Sequence, residues 1–160
     1  MISFVLYYIS SVLLGQVFQY YFAVNFSFSI DIFLIILIFN SLNFVFNVSL
    51  FSSVLHGLIM DYFTGLPLGF FVFNYVLIFY ILGKIKILVP KSMLSITLFF
   101  VFSKFIICFV AMVLSDFVDL KGFNYEIFNL NIVVNIVFIN FLYPILSYFT
   151  RNLYAFREEY

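Results

Sequence analysis

The thirty residues before Asp31, the first charged side chain, are predominantly apolar. The pattern continues through the chain: of 160 residues, 66% are hydrophobic and only 9% are charged, and the mean hydropathy is +1.24. A soluble domain of this size needs a polar surface that so few charged residues do not supply. We therefore expect an all-α integral membrane protein, because helices satisfy their own backbone hydrogen bonds inside a bilayer.

Six apolar segments are visible, at approximately 2–22, 31–46, 48–63, 68–84, 92–114 and 129–149. A bilayer core of about 30 Å takes roughly 20 residues per helix, so the length admits at most about six spans. We expect one transmembrane domain covering 1–160, with no soluble domain in addition. The segments within 30–86 run together, and the competing prediction divides that region into two long helices.

Charge placement predicts the orientation. Basic residues cluster at 84–91, between the fourth and fifth segments, and at 151–157, after the last segment. Cytoplasmic loops collect Lys and Arg, so both clusters are expected inside the cell. The intervening region 116–126 is mainly acidic, which suits the outside. With six spans, both chain termini are then predicted to be cytoplasmic.

Small or polar residues recur at every fourth position of the third segment: Ser49, Ser53, Gly57 and Asp61. This spacing places them along one side of a helix, and small residues let membrane helices approach closely. We expect a tightly packed helix at the centre of the bundle. His56, on a neighbouring face, is expected to be a hydrogen-bonded core residue rather than a ligand or a proton relay.

Lys104 lies about halfway along the fifth segment, hence near the middle of the membrane. An unpaired ammonium group at that depth is costly, so it should contact a carboxylate or extend into an aqueous crevice. We predict a contact with Asp61 or, as the less favoured partner, with Asp31.

The turn after the third segment contains Gly65, Pro67 and Gly69. Glycine permits positive φ and close backbone approach, whereas proline has a fixed φ that suits the first turn of a new helix. This composition predicts a tight turn with a geometric rather than a chemical role.

Several of these residues together resemble a known family. They are Gly57-Leu58-Ile59-Met60-Asp61, Gly65-Leu66-Pro67-Leu68-Gly69, Asn74-Tyr75 and Gly83. The pattern is similar to the core signature of MreD, the rod-shape-determining membrane protein of bacteria, and covers about residues 30–86. The family commonly opens its second helix with Pro-Asp, where this chain has Ile30-Asp31.

The resemblance implies a non-enzymatic subunit of the bacterial inner membrane. Such a subunit would bind the bitopic protein MreC and would support RodA and its penicillin-binding-protein partner in lateral peptidoglycan synthesis. It implies a six-helix fold resembling the S components of ECF vitamin transporters. Which helix faces meet MreC, and whether the chain self-associates, stay open.

An S component that captures a vitamin is the alternative function. Those proteins typically couple to their transporter through Ala-xxx-Ala on the first helix, whereas the only alanines here are Ala23, Ala111 and Ala155. An enzyme is the weakest hypothesis, because no carboxylates or histidines converge in the sequence. With a net charge of zero, no basic face indicates a nucleic-acid partner. The single cysteine, Cys108, allows neither a disulfide framework nor a thiolate metal site, and we expect no cofactor and no metal.

Overall fold

The computed structural model describes residues 2–26, 30–89, 92–116 and 130–152. Within them the chain forms α-helices and no strand. The helices are α1 (Ile2–Phe26), α2 (Ile32–Asn43), α3 (Phe46–Thr64), α4 (Phe70–Ile85), α5 (Met93–Leu114) and α6 (Leu130–Phe149), and a 3₁₀ turn, Thr150–Asn152, follows α6. The all-helical fold agrees with the prediction.

Each of the six predicted segments corresponds to one helix. The region 30–86 is divided into three helices, so the alternative of two long helices is wrong. Phe44 and Val45 have extended backbone angles and separate α2 from α3. Gly65 and Gly69 have positive φ and lie in the turn between α3 and α4.

The central helix of the bundle is α2, not the third helix as the small-residue pattern predicted. Every residue from Ile32 to Leu42 is buried, and α2 contacts each of the other five helices. The physical reason is that α2 is apolar on all sides apart from Asn40, Ser41 and Asn43 near its C-terminal end, and a helix that is hydrophobic all round is stable only when it is enclosed.

With 12 residues, α2 is only about 18 Å long, and other helices supply polar partners near both of its ends. The backbone N–H of Asp31 donates to Asn135 Oδ1 of α6 at 2.8 Å. At the other end Ser49 Oγ donates to the carbonyl of Asn40 at 2.7 Å, and Lys86 Nζ donates to the carbonyl of Ser41 at 3.1 Å. Helix ends inside an apolar bundle need such partners.

The outside of the bundle carries many large apolar side chains. Val17, Leu98, Phe109 and Val137 are examples, each at least 58% exposed. By length and composition, two helices in the described chain, Met93–Leu114 and Asn131–Phe149, are sufficient to cross a membrane. This pair alone supports membrane association only weakly.

Candidate functional site

The α3–α4 hairpin contains the residues that carry the family resemblance, and Gly57 is its closest contact. A Cβ atom on Gly57 would lie 2.5 Å from Val72 Cα, 2.8 Å from Val72 N and 3.1 Å from the carbonyl carbon of Phe71. All three are backbone atoms of α4, which side-chain rotation does not move. Position 57 therefore accommodates only glycine if the two helix backbones keep this separation.

The Asp61 carboxylate joins the end of α3 to the start of α4. Its Oδ2 accepts a hydrogen bond from the N–H of Gly69 at 2.8 Å, and its Oδ1 accepts one from the N–H of Phe71 at 2.7 Å. Asp61 is buried, with 1% of its surface exposed. The first N–H groups of a helix lack intrahelical partners and carry partial positive charge, so they compensate a buried carboxylate. Asp61 acts as a capping residue for α4.

The turn between the helices has the geometry that its glycines predict. Gly65 has φ 66° and ends α3, while Gly69 has φ 99° and immediately precedes α4. Pro67 lies in the turn rather than in the first turn of α4, because the helix begins at Phe70. The Pro67 carbonyl accepts the N–H of Phe70 at 3.1 Å.

The small residues of α3 lie inside the molecule. Ser49 and Ser53 are buried, as are Gly57 and Asp61. Ser49 bonds to α2, and Ser53 Oγ donates to the carbonyls of Ser49 at 2.7 Å and Leu50 at 3.0 Å within its own helix. This stripe packs α3 against α2 and α4 and is not exposed to another chain.

Asn74 of α4 is fully buried. Its Nδ2 donates to the carbonyl of Phe70 at 2.8 Å, one turn earlier in the same helix. Its Oδ1 has no hydrogen-bond partner among the described residues.

Lys104 pairs with Asp31. The favoured prediction, a contact with Asp61, is wrong: Lys104 reaches the carboxylate at the start of α2, while Asp61 accepts two backbone amides of the hairpin. The Lys104 side chain is 28% exposed and that of Asp31 is 16% exposed. Lys104 lies ten residues, or about 15 Å, from the end of α5. The pair connects α5 to the N-terminal end of α2.

A chain of hydrogen bonds links α1, α2 and α3. Tyr7 donates from its hydroxyl to Asn40 Oδ1 at 2.8 Å, Asn40 Nδ2 donates to Ser52 Oγ at 2.6 Å, and Ser52 Oγ lies 3.1 Å from His56 Nδ1. His56 is fully buried, and its ring centroid lies 5.4 Å from that of Phe33. Its hydrogen bond agrees with the expected core role. The role of Tyr7 was missed, although a tyrosine hydroxyl in an apolar segment signals a partner.

The remaining titratable groups do not form a reactive cluster in the described residues. No group of three or more His, Cys, Asp or Glu side chains there is placed to hold a metal ion. Cys108 is buried on α5. Asp116 is exposed just beyond α5. Asp119, the acidic residue three positions further along the sequence, lies outside the described residues. Geometrically, the polar groups described here join helices and cap their ends.

Comparison of the chain with protein-family models, curated proteins and solved structures returns no match.

Proposed function

We propose that this chain is a membrane-embedded six-helix scaffold of the MreD type. The placement in a membrane is supported by the apolar outer faces of the helices. Three basic residues lie at helix ends that we assign to the cytoplasmic side: Lys84 and Lys86 at the end of α4, and Arg151 after α6. The acidic residue Asp116 follows the end of α5, which we assign to the opposite side. The positive-inside rule favours an orientation with both termini in the cytoplasm, and the family resemblance implies that the membrane is the bacterial cytoplasmic membrane.

The observation that carries the scaffold function is the Asp61 carboxylate on the amides of Gly69 and Phe71, one turn from the Gly57 contact. Gly57, Asp61 and Gly69, which belong to the family-like pattern, therefore act together to hold α3 against α4. The buried carboxylate of Asp61 stabilises the turn, because each of its oxygens accepts a backbone N–H of the hairpin. This favours a non-enzymatic role without a cofactor.

The partner in this proposal is MreC, through which the chain supports RodA and its penicillin-binding-protein partner. The small-residue stripe of α3 does not contact MreC, since it is enclosed. A more suitable surface lies at the outer end of the hairpin, where Tyr62 is 78%, Phe63 56% and Leu68 81% exposed. Clustered exposed aromatic and apolar side chains are typical of protein contact surfaces.

Co-purification with MreC from membranes in mild detergent tests this proposal. The Tyr62→Ser and Leu68→Ser double variant is expected to reduce MreC recovery at least ten-fold, because about 1.4 kcal/mol of lost contact energy corresponds to that factor. Leu88→Ser is the matched control, since Leu88 is 83% exposed in the turn after α4, at the opposite end of that helix. Reproducible failure of the unmodified chain to retain MreC would contradict the proposed function.

A further inference from the structure

The hydrogen bonds that lead from α1 to His56 run in one direction. The Tyr7 hydroxyl donates to Asn40 Oδ1 at 2.8 Å, so the amide nitrogen of Asn40 faces the other way. Asn40 Nδ2 donates to Ser52 Oγ at 2.6 Å, and the second neighbour of Ser52 Oγ is His56 Nδ1 at 3.1 Å. A serine hydroxyl accepts with a lone pair and has one proton to donate. That proton is therefore available to His56 Nδ1, and each group in this hydrogen-bond chain donates to the next.

This direction determines where the imidazole proton lies. A neutral histidine carries a proton on one ring nitrogen and accepts with the other. Because Ser52 donates to Nδ1, the proton of His56 lies on Nε2, a buried atom that has no hydrogen-bond partner among the described residues. The rings of Tyr8 and Phe33, with centroids 5.0 Å and 5.4 Å from that of His56, offer only weak contacts to an N–H group. The tautomer is therefore set from the Nδ1 side.

The reverse arrangement has the same shape and the opposite donors. The Asn40 amide would turn over, with Nδ2 donating to Tyr7 and Oδ1 accepting the Ser52 proton. Ser52 would then accept from Nδ1–H of His56, and Nε2 would become an acceptor. The oxygen and nitrogen of an amide are similar in size, so packing does not choose between the two orientations. Tyr7 makes the choice, because the aromatic ring withdraws electron density from a phenol oxygen and makes its hydroxyl a better donor than acceptor.

We propose that Tyr7 is a positioning residue through which the docking of α1 sets the tautomer of His56. With α1 in place, the Tyr7 hydroxyl holds the Asn40 amide, and His56 presents an N–H group at Nε2. When Tyr7 moves away from Asn40, the amide is free to turn over and Nε2 becomes an acceptor. This change reverses the hydrogen-bonding character of a buried atom without creating a charge, which a core of low dielectric constant tolerates far better than a new ion.

His56 is the only histidine in the sequence, so ¹⁵N-labelled histidine gives one pair of ring signals in an NMR spectrum. The chemical shift distinguishes a protonated ring nitrogen from an unprotonated one, and couplings to the ring protons assign Nδ1 and Nε2. In detergent micelles at neutral pH, the unmodified chain is expected to show a protonated Nε2 and an unprotonated Nδ1. A spectrum in which Nδ1 is protonated, with or without a proton on Nε2, overturns the proposal.

The Tyr7→Phe variant isolates the contribution of the hydroxyl. It keeps the ring contact with Phe44, whose centroid lies 5.8 Å from that of Tyr7, so α1 retains its packing. Loss of the Tyr7 hydrogen bond is expected to shift the tautomer ratio roughly five-fold towards Nδ1–H, the factor that one hydrogen bond contributes. Tyr20→Phe is the matched control, because it removes a hydroxyl from a residue of α1 that is 74% exposed, and the ratio should not change.

Ser52→Ala tests the same hydrogen-bond chain from α3. It removes the donor to Nδ1 of His56 and leaves α1 unaltered, so the tautomer ratio should shift in the same direction as in Tyr7→Phe. The proposal is overturned if Tyr7→Phe shifts the ratio no more than Tyr20→Phe does, since Asn40 then keeps its orientation without Tyr7. It is also overturned if Ser52→Ala leaves the ratio unchanged, because Ser52 is then not the group that selects the tautomer.

Discussion

Two helix pairs, α3–α4 and α5–α6, are held together in different ways. In α3–α4 the backbones approach at Gly57, and the carboxylate of Asp61 bonds directly to the start of the next helix. In α5–α6 the contact is made by side chains, including a hydrogen bond of 3.1 Å from Asn140 Nδ2 to Thr97 Oγ1. Helices of similar apolar composition therefore pair through backbone contacts in one case and through side chains in the other, and we expect substitutions to be more destabilising in the first.

The largest expected effect comes from breaking the backbone contact. Gly57→Ala should lower the free energy of unfolding by about 3 kcal/mol, because the new methyl group overlaps Val72 backbone atoms and forces the helices apart. Titration with sodium dodecyl sulfate in mixed micelles measures this change. Gly83→Ala is the matched control: a Cβ there meets nothing within 4 Å, and we expect stability unchanged or raised by up to about 1 kcal/mol. Equal losses at both positions would refute the contact.

Removing the capping charge should have the next largest effect. Asp61→Asn leaves one acceptor for two N–H donors and turns an NH₂ group towards the other, for an expected loss of about 2 kcal/mol in the same titration. Asp116→Asn removes an exposed carboxylate near the end of α5 and should change stability by less than about 0.5 kcal/mol. A neutral result for Asp61→Asn would show that the cap contributes nothing.

The ion pair joins α5 to the start of α2 rather than to the α3–α4 pair, and a double-mutant cycle measures its contribution. Lys104→Met and Asp31→Asn should be coupled by about 1 kcal/mol, since the partly exposed pair loses the same interaction in either single variant. The control cycle combines Lys104→Met with Asp61→Asn, whose effects should add to within about 0.5 kcal/mol. If Lys104→Met were instead coupled to Asp61→Asn and additive with Asp31→Asn, the partner of Lys104 would be Asp61 and not Asp31.

The smallest effect is expected in the side-chain pairing of α5 and α6. Asn140→Leu removes the hydrogen bond to Thr97 and should cost about 0.6 kcal/mol, the average for such bonds between membrane helices. Thr97→Val tests the same bond from α5 and should give a similar value. If either variant were as destabilising as Gly57→Ala, the contrast between the two helix pairs would not hold.

The sequence predicted the helices and the geometric role of the turn, because apolar segment lengths and turn glycines are local properties. It named Asp31 only as the less favoured partner of Lys104, because the choice between Asp31 and Asp61 depends on the relative depth of the helices, which is not a local property. The capping role of Asp61 was also missed, although the two glycines that follow it are a usable signal. The third helix was expected at the centre, yet the absence of a polar face on Ile32–Phe39 favours α2.

Footprinting with a lipid-soluble, photoactivated carbene reagent in reconstituted vesicles tests the enclosed bundle most directly. The account predicts strong labelling of the exposed apolar residues of α1 and α5 and almost none of residues 32–42 in α2, which are shielded by all five other helices. Labelling of α2 as strong as that of α5 would contradict the arrangement. Absence of labelling on every helix would contradict the membrane placement.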